Sequence, residues 1–298
     1  MSSVRGATLA DTATLTRRGQ AAGFGQRFAR RRMAVAGLVL LAGLVLLAIV
    51  GIAIGGDPTK QNVIDRLQPP NSHYWFGTDE LGRDVFARLA NGTPISLASG
   101  TVSVALGLVI GVTVGVVAGY VERWVGLTLM ALVDLLLALP AILLAITVAA
   151  RVGAGLPAAM AAAGVLGVPT YARLARASTL ELKRRELVDA ARAIGASDAR
   201  IMTRHVLPNI LTPLIVQATI GVGNAILLVS ALGFLGLGAQ PPTPEWGRML
   251  SDAQRYITDA PWIAIFPGLA ITITVLGFNL VGDGLRDALD PALARGGN

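Results

Sequence analysis

Few side chains in this sequence are able to make or break a bond. Cysteine is absent, which rules out disulfides, thiolate metal sites and a cysteine nucleophile. Histidine occurs only at His73 and His205. The topology derived below puts the two on opposite sides of a membrane, so no metal site is assigned. One clear carboxylate, Asp134, lies within an apolar run ahead of Pro140. A charge there is expensive unless paired, so Asp134 is either held by an arginine or a helix terminus or touches a solute in transit. No G-x-x-x-x-G-K-[ST] loop is present to cradle phosphates. No catalytic residue follows.

The elements around these residues are apolar. Of 298 residues, 53% are hydrophobic and 14% charged, against the roughly 25% charge of a soluble domain. Apolar segments stand out at about 33–54, 95–119, 125–150, 155–171, 211–237 and 261–282. Most reach the roughly 20 residues that cross a hydrocarbon core as helix. The first is too long for the h-region of a signal peptide and lacks a convincing cleavage site, so it reads as a retained helix. The fourth is short and carries Pro157 and Pro169, but without it the two most charged segments would fall on opposite sides.

Those segments decide orientation. The tail 1–32 holds seven arginines against Asp11 alone, and 172–210 holds eight basic residues against four acids. The stretch 55–94 has four basic and five acidic residues, and 238–260 two and three. The positive-inside rule then gives an all-α polytopic membrane protein with six transmembrane helices, both termini inside. A short inner turn falls at Glu122-Arg123, and a long inner loop joins helices four and five. The net charge of +7 is thereby a matter of topology, not of nucleic-acid binding. The chain divides into a basic tail (1–32), a first helix with its outer loop (33–94), a transmembrane core (95–290) and a short inner tail (291–298). The basic tail either only sets orientation or also lies on anionic lipid.

The long inner loop is ordered in its pattern. Apolar residues from Tyr171 to Ile194 recur at the spacing of an amphipathic helix. Gly195 then ends that helix, and Ser197 with Asp198 is a cap for a second one, expected to stop near Val206 ahead of Pro208. Asp189, Ala190 and Ala191 are short side chains that let another protein approach closely, with Leu187 and Ile194 as apolar anchors. On pattern alone the segment is either a docking surface or a hairpin joining two spans.

Asp189-Ala190-Ala191, Gly195 and Leu207-Pro208 resemble the EAA loop of bacterial ABC importer permeases. The resemblance implies a coupling helix, at about 185–209, that seats in a cytoplasmic ATPase through Leu187, Asp189, Ala190, Ala191, Ile194, Gly195, Leu207 and Pro208. Asp189 stands where that family usually has Glu. Further motifs resemble the second, shorter permease of the dipeptide, oligopeptide and nickel branch, over roughly 30–292. One runs from Phe76 to Arg88, where Gly77 and Gly82 permit a turn and Asp84 can pair with Arg88 for about 0.2–0.5 kcal/mol. A second runs from Leu232 to Gly247, with Gly233, Gly236 and Gly238 allowing close approach and Trp246 suiting the bilayer interface or a protein contact. The branch usually has Glu where this chain has Val229 and often Ser at Gly233. The last runs from Phe266 to Pro291, in which Asn279, Asp283 and Arg286 form a polar cluster that serves packing or gating.

The resemblance implies a permease subunit that forms half of a pore for di- and oligopeptides in a bacterial inner membrane. Its partners would be a second, related permease, two ATPase subunits and an extracytoplasmic binding protein, with ATP and magnesium on the ATPases and no cofactor on this chain. Nickel chelates or another small solute are the alternative cargo. An ion-coupled secondary transporter would need more intramembrane carboxylates or histidines than Asp134 supplies. An intramembrane protease would need a Ser/His or paired Asp site that is absent.

Overall fold

The computed structural model describes residues 28, 29, 31–121 and 123–289, with the backbone alone at 186 and 187. Most of the basic tail, Glu122 and the inner terminus from residue 290 onward lie outside the described residues. Among those described, the chain is helical, with one isolated bridge between Thr78 and Asp84 and no strand. Its helices are α1 (Arg32–Ile54), α2 (Val85–Val121), α3 (Arg123–Ala138), α4 (Ala141–Val152), α5 (Leu156–Lys183), α6 (Glu186–Ala193), α7 (Leu207–Phe234), α8 (Trp246–Ala253) and α9 (Trp262–Leu289).

Five of these, α1, α2, α5, α7 with its lead-in from Asp198, and α9, are long and apolar enough to cross a membrane. The expected third span is not one helix. It breaks into α3 and α4, bent by 98°. Pro140 has no amide proton and pushes Leu139 away from helical geometry, which ends α3 there.

Two spans are longer than hydropathy indicated. α2 starts at Val85, ten residues ahead of the expected start, with Asp84 Oδ1 accepting from the Phe86 N–H at 2.8 Å. Its first turn carries Arg88, whose charge hides the helix from an apolarity count. α5 runs unbroken to Lys183, so the amphipathic repeat that begins at Tyr171 continues the fourth span instead of opening a separate helix.

The helix after Gly195 also departs from expectation. Ser197 occupies the cap position with extended backbone, but its side chain makes no capping hydrogen bond. The helix does not stop ahead of Pro208. Residues Ile201–Val206 widen into a π-helix, with the Leu207 N–H reaching the Met202 carbonyl, and α7 follows without interruption. A π-turn relaxes the ladder where Pro208 can neither donate nor tolerate a close carbonyl.

The bundle is held by close backbone approach. Gly107, Gly111, Gly115 and Gly119 form a stripe on α2, one rung every four residues. A Cβ on them would lie 2.7, 2.7, 2.3 and 2.9 Å from the carbonyl oxygens of Gly164, Val168, Ala172 and Arg176 on α5. On this seam α2 presents backbone and no side chain, which is how helices associate where hydrophobic burial gives no advantage over lipid. At one end of α1, Gly37 lies against Gly277 and Val281 of α9, and Arg31 approaches Asp287 at 3.7 Å. At the other end, Gly51 and Gly55 lie against Ala90 and Ala87 near the start of α2. The start of α1, the end of α2 and the end of α9 therefore share one side of the bundle.

Candidate functional site

α6 lies beyond the ends of α2 and α5 on that side. Val188 and Ala191 face inward and are buried against Val116, Leu182, Ile201 and Val206. Asp189, Ala190 and Ala193 face outward, and Ile194 is 84% exposed. The expected docking trio is thus divided: Ala190 is on the open face, while Ala191 is small so that α6 can sit tightly under the bundle. Leu207 is half-buried behind this face and Pro208 exposed at the head of α7. The side chain of Leu187 lies outside the described residues.

The end of α6 is a Schellman motif. Gly195, at φ +81°, donates to the Arg192 carbonyl at 2.9 Å, and Ala196 donates to the Ala191 carbonyl at 3.1 Å. A Cβ at Gly195 would meet nothing within 4 Å, so the requirement is conformational, not steric. Gly195→Ala should therefore strain the turn by about 1–2 kcal/mol. Gly195→Asn, which tolerates the left-handed region, should stay near wild type. The melting temperature of the solubilised protein checks both, and an alanine variant as stable as wild type would refute the argument.

Tyr120, at the end of α2, joins these parts. Its hydroxyl donates to Asp198 Oδ1 at 2.5 Å and accepts from Arg192 Nη2 at 3.3 Å. Its carbonyl accepts from Lys183 Nζ at 2.7 Å, and the cationic groups of Lys183 and Arg192 lie 5.5 and 5.4 Å from its ring centroid. The side chain is 4% exposed. One residue thereby ties α2, α5, α6 and the lead-in to α7. The Tyr120 hydrogen bond holds the Arg192 guanidinium more firmly in its charged form. Sequence reading missed Tyr120. The available signal was an aromatic residue at the end of a span, and nothing in the chain marked its partners.

The other expected positions separate. Asp134 Oδ1 is bonded to Arg173 Nη2 of α5 at 2.7 Å, so the intramembrane acid has an arginine partner. Asn279, Asp283 and Arg286 form no hydrogen bond or ion pair with one another among the described residues. The acid near them that does pair is Asp287, with Arg31. His205 contributes its carbonyl to Asn209 Nδ2 at 2.6 Å, and His73 packs edge-on to Tyr74.

At the opposite end, the Phe76–Arg88 motif builds a buried ion network instead of an Asp84–Arg88 pair. Arg83 meets Asp79 at 2.6 Å and Glu80 at 2.7 Å, while Arg88 approaches Asp79 at 3.4 Å and Asp252 at 3.8 Å. Arg248 closes the network on Asp252 at 2.6 Å. Asp84 is used up as the cap of α2, which is why it is unavailable to Arg88. Burial pushes the Glu80 carboxyl above its usual range. Gly77 and Gly82 turn the chain at φ +74° and +70°, and a Cβ on Gly82 would overlap the Asn62 carbonyl.

Trp246 is fully buried, contrary to an interfacial role, with its Nε1 directed at the Leu89 carbonyl at 3.4 Å. Beside it Glu245 caps α8 by accepting from the Gly247 and Arg248 N–H groups, each at 2.9 Å. Its carboxylate lies near Ser96 and Ser230, and a Cβ on Gly233 would come within 2.8 Å of it. A carboxylate does occur next to Gly233 and Ser230, then, but it comes from the residue that caps α8. Burial raises its pKa.

Comparison with known proteins agrees with this architecture. Residues 111–295 match the family described as binding-protein-dependent transport system inner membrane component, and residues 20–70 match the N-terminal TM domain of oligopeptide transport permease C. The dipeptide transport system permease protein DppC of Alkalihalophilus pseudofirmus is 45% identical over 265 residues, covering 89% of this chain and 87% of that protein. The glutathione transport system permease protein GsiD of Shigella flexneri is 45% identical over 272 residues, covering 91% and 90%. Among solved structures, an inward-facing form of the MetNI methionine ABC transporter superposes with a TM-score of 0.56 at 26% identity, over 67% of this chain and 95% of the matched chain. The chain belongs to the binding-protein-dependent inner-membrane components, and it is a multi-pass permease subunit of an ABC importer.

Proposed function

We propose that this permease imports short peptides, as one of two related permease subunits driven by two cytoplasmic ATPases and supplied by an extracytoplasmic binding protein. The cargo reading rests on 45% identity, across about nine-tenths of the chain, to a permease named for dipeptides and another named for glutathione, itself a short peptide. The coupling reading rests on one observation: α6 turns Asp189, Ala190 and Ile194 outward while Tyr120 holds its other side to the span ends. An outward apolar residue on a short helix suits a groove in a partner. ATP and magnesium would reside on those ATPases, and the chain would itself carry no cofactor.

The charge asymmetry supports an inner location for α6 and both termini, with α3 and α4 together as a sixth, broken span. ATP-driven approach of the ATPases would move α6 and, through Tyr120, the inner ends of α2, α5 and α7. The test uses the cysteine-free chain. Ile194→Cys should crosslink to an ATPase subunit through a short bifunctional reagent, and uptake of a labelled dipeptide should require both ATP and the binding protein. Failure to crosslink from Ala190, Ala193 and Ile194 alike in assembled complexes would overturn the docking assignment. Ala191 is unsuitable for this purpose because it is buried.

A further inference from the structure

Most hydroxyls on the spans are satisfied within their own helix. Thr101, Thr113, Thr147, Thr219, Thr272 and Thr274 each donate to the carbonyl four residues earlier, at 2.7–2.9 Å. Some polar side chains on the spans do not follow this rule. Gln217 and Asn224 on α7, and Thr170 on α5, make no side-chain hydrogen bond to any described residue, although polar groups without partners are costly in hydrocarbon. Together with Ser103 of α2, Tyr171 and Gly221, they line one cavity of about 170 Å³.

The placement of that cavity is specific. Ser103 stands at the middle of Val85–Val121, and Gln217 and Asn224 straddle the middle of Leu207–Phe234, with Thr170 about one turn before Arg173 on α5. At 1.5 Å per residue, Thr170 lies roughly 20 Å along the axis from either end of α5. On α7, Gln217, Gly221 and Asn224 fall on one face at helical spacing. Gly221 leaves room for Tyr171, whose hydroxyl would sit 2.3 Å from a Cβ there. The lining bears no charged side chain. At this volume the cavity accommodates part of a solute and not a whole peptide.

We propose that this cavity is the subunit's share of a solute-binding station midway across the membrane, where Thr170, Gln217 and Asn224 hydrogen-bond the backbone amides of a passing peptide. Each carboxamide offers two donors and an acceptor, the complement of a peptide N–H and C=O. A neutral lining discriminates little between acidic and basic side chains, so it reads backbone and tolerates sequence. The proposal rests on the peptide-import reading above.

The test uses the complete importer in proteoliposomes with its binding protein. In this cysteine-free chain, Asn224→Cys and Thr170→Cys should react with a charged, membrane-impermeant methanethiosulfonate, whereas Leu46→Cys, 61% exposed on α1, should not. Peptide-loaded binding protein with ATP should slow the reaction at Asn224→Cys. The double variant Asn224→Leu, Gln217→Leu should lower uptake about tenfold or more, as expected for the loss of roughly two hydrogen bonds, and equally for acidic and basic dipeptides. Stimulation of ATP hydrolysis by the binding protein should persist. Cysteines at 170 and 224 that stay unreactive in complexes that do import peptide would overturn the station. So would undiminished uptake by the double variant, or a loss confined to peptides of one charge. Wild-type complexes that import no peptide would instead overturn the cargo reading itself.

Discussion

Tyr120→Phe is expected to separate ATP hydrolysis from transport. The phenylalanine keeps the ring, and so the burial and the stacking of Lys183 and Arg192, but it removes the hydroxyl that links Asp198 to Arg192. A hydrogen bond to a charged group is worth about 1.5–3 kcal/mol. If that bond carries the motion of α6 to α2, transport per ATP hydrolysed should fall roughly ten- to a hundredfold. Tyr120→Ala should do worse, since truncating a buried aromatic costs about 3–5 kcal/mol and loosens the whole junction. The measurement is the ratio of peptide uptake to ATP hydrolysis in reconstituted importer, with membrane insertion checked by expression level. A wild-type ratio in Tyr120→Phe would show that coupling runs by another route.

Arg88→Met should act through stability, not through coupling. The buried network sets Arg83, Arg88 and Arg248 against Asp79, Glu80 and Asp252, so removing one cation leaves the cluster with one excess negative charge. Breaking a buried ion group in this way costs about 3–5 kcal/mol. The solubilised protein should melt at a clearly lower temperature and accumulate poorly. Arg185→Met, which removes an exposed pair with Glu181, should change stability by no more than about 0.5 kcal/mol. Equal melting temperatures for the two variants would refute the distinction.

The all-helical architecture was legible because the membrane imposes it: long uncharged runs have to be helices. Element ends were less legible wherever a charged residue belongs to a span. Arg88 concealed the first turns of α2, and Arg173 and Arg176 made the inner half of α5 look like a loop. Prolines misled in both directions. Pro140 breaks a span that hydropathy joins, while the π-turn before Pro208 carries α7 past a residue expected to stop the preceding helix. The turn at Gly195 was readable because only a left-handed residue completes it. Tyr120, the burial of Ala191 and the carboxylate of Glu245 were not readable, since each depends on partners distant in sequence that no local spacing reveals.

The glycine seam between α2 and α5 has a mechanical consequence. Its rungs recur every four residues on both helices, so a slide of one full rung, about 6 Å along the axis, would again set glycines opposite carbonyls at most crossings. The Cβ atoms of Tyr171, Ala175 and Thr179 flank those carbonyls, 2.8–2.9 Å from where a Cβ on Gly111, Gly115 or Gly119 would lie, so a shorter slide runs into side chains. The pair is thus notched, and its backbone contacts resist small shear between the two helices.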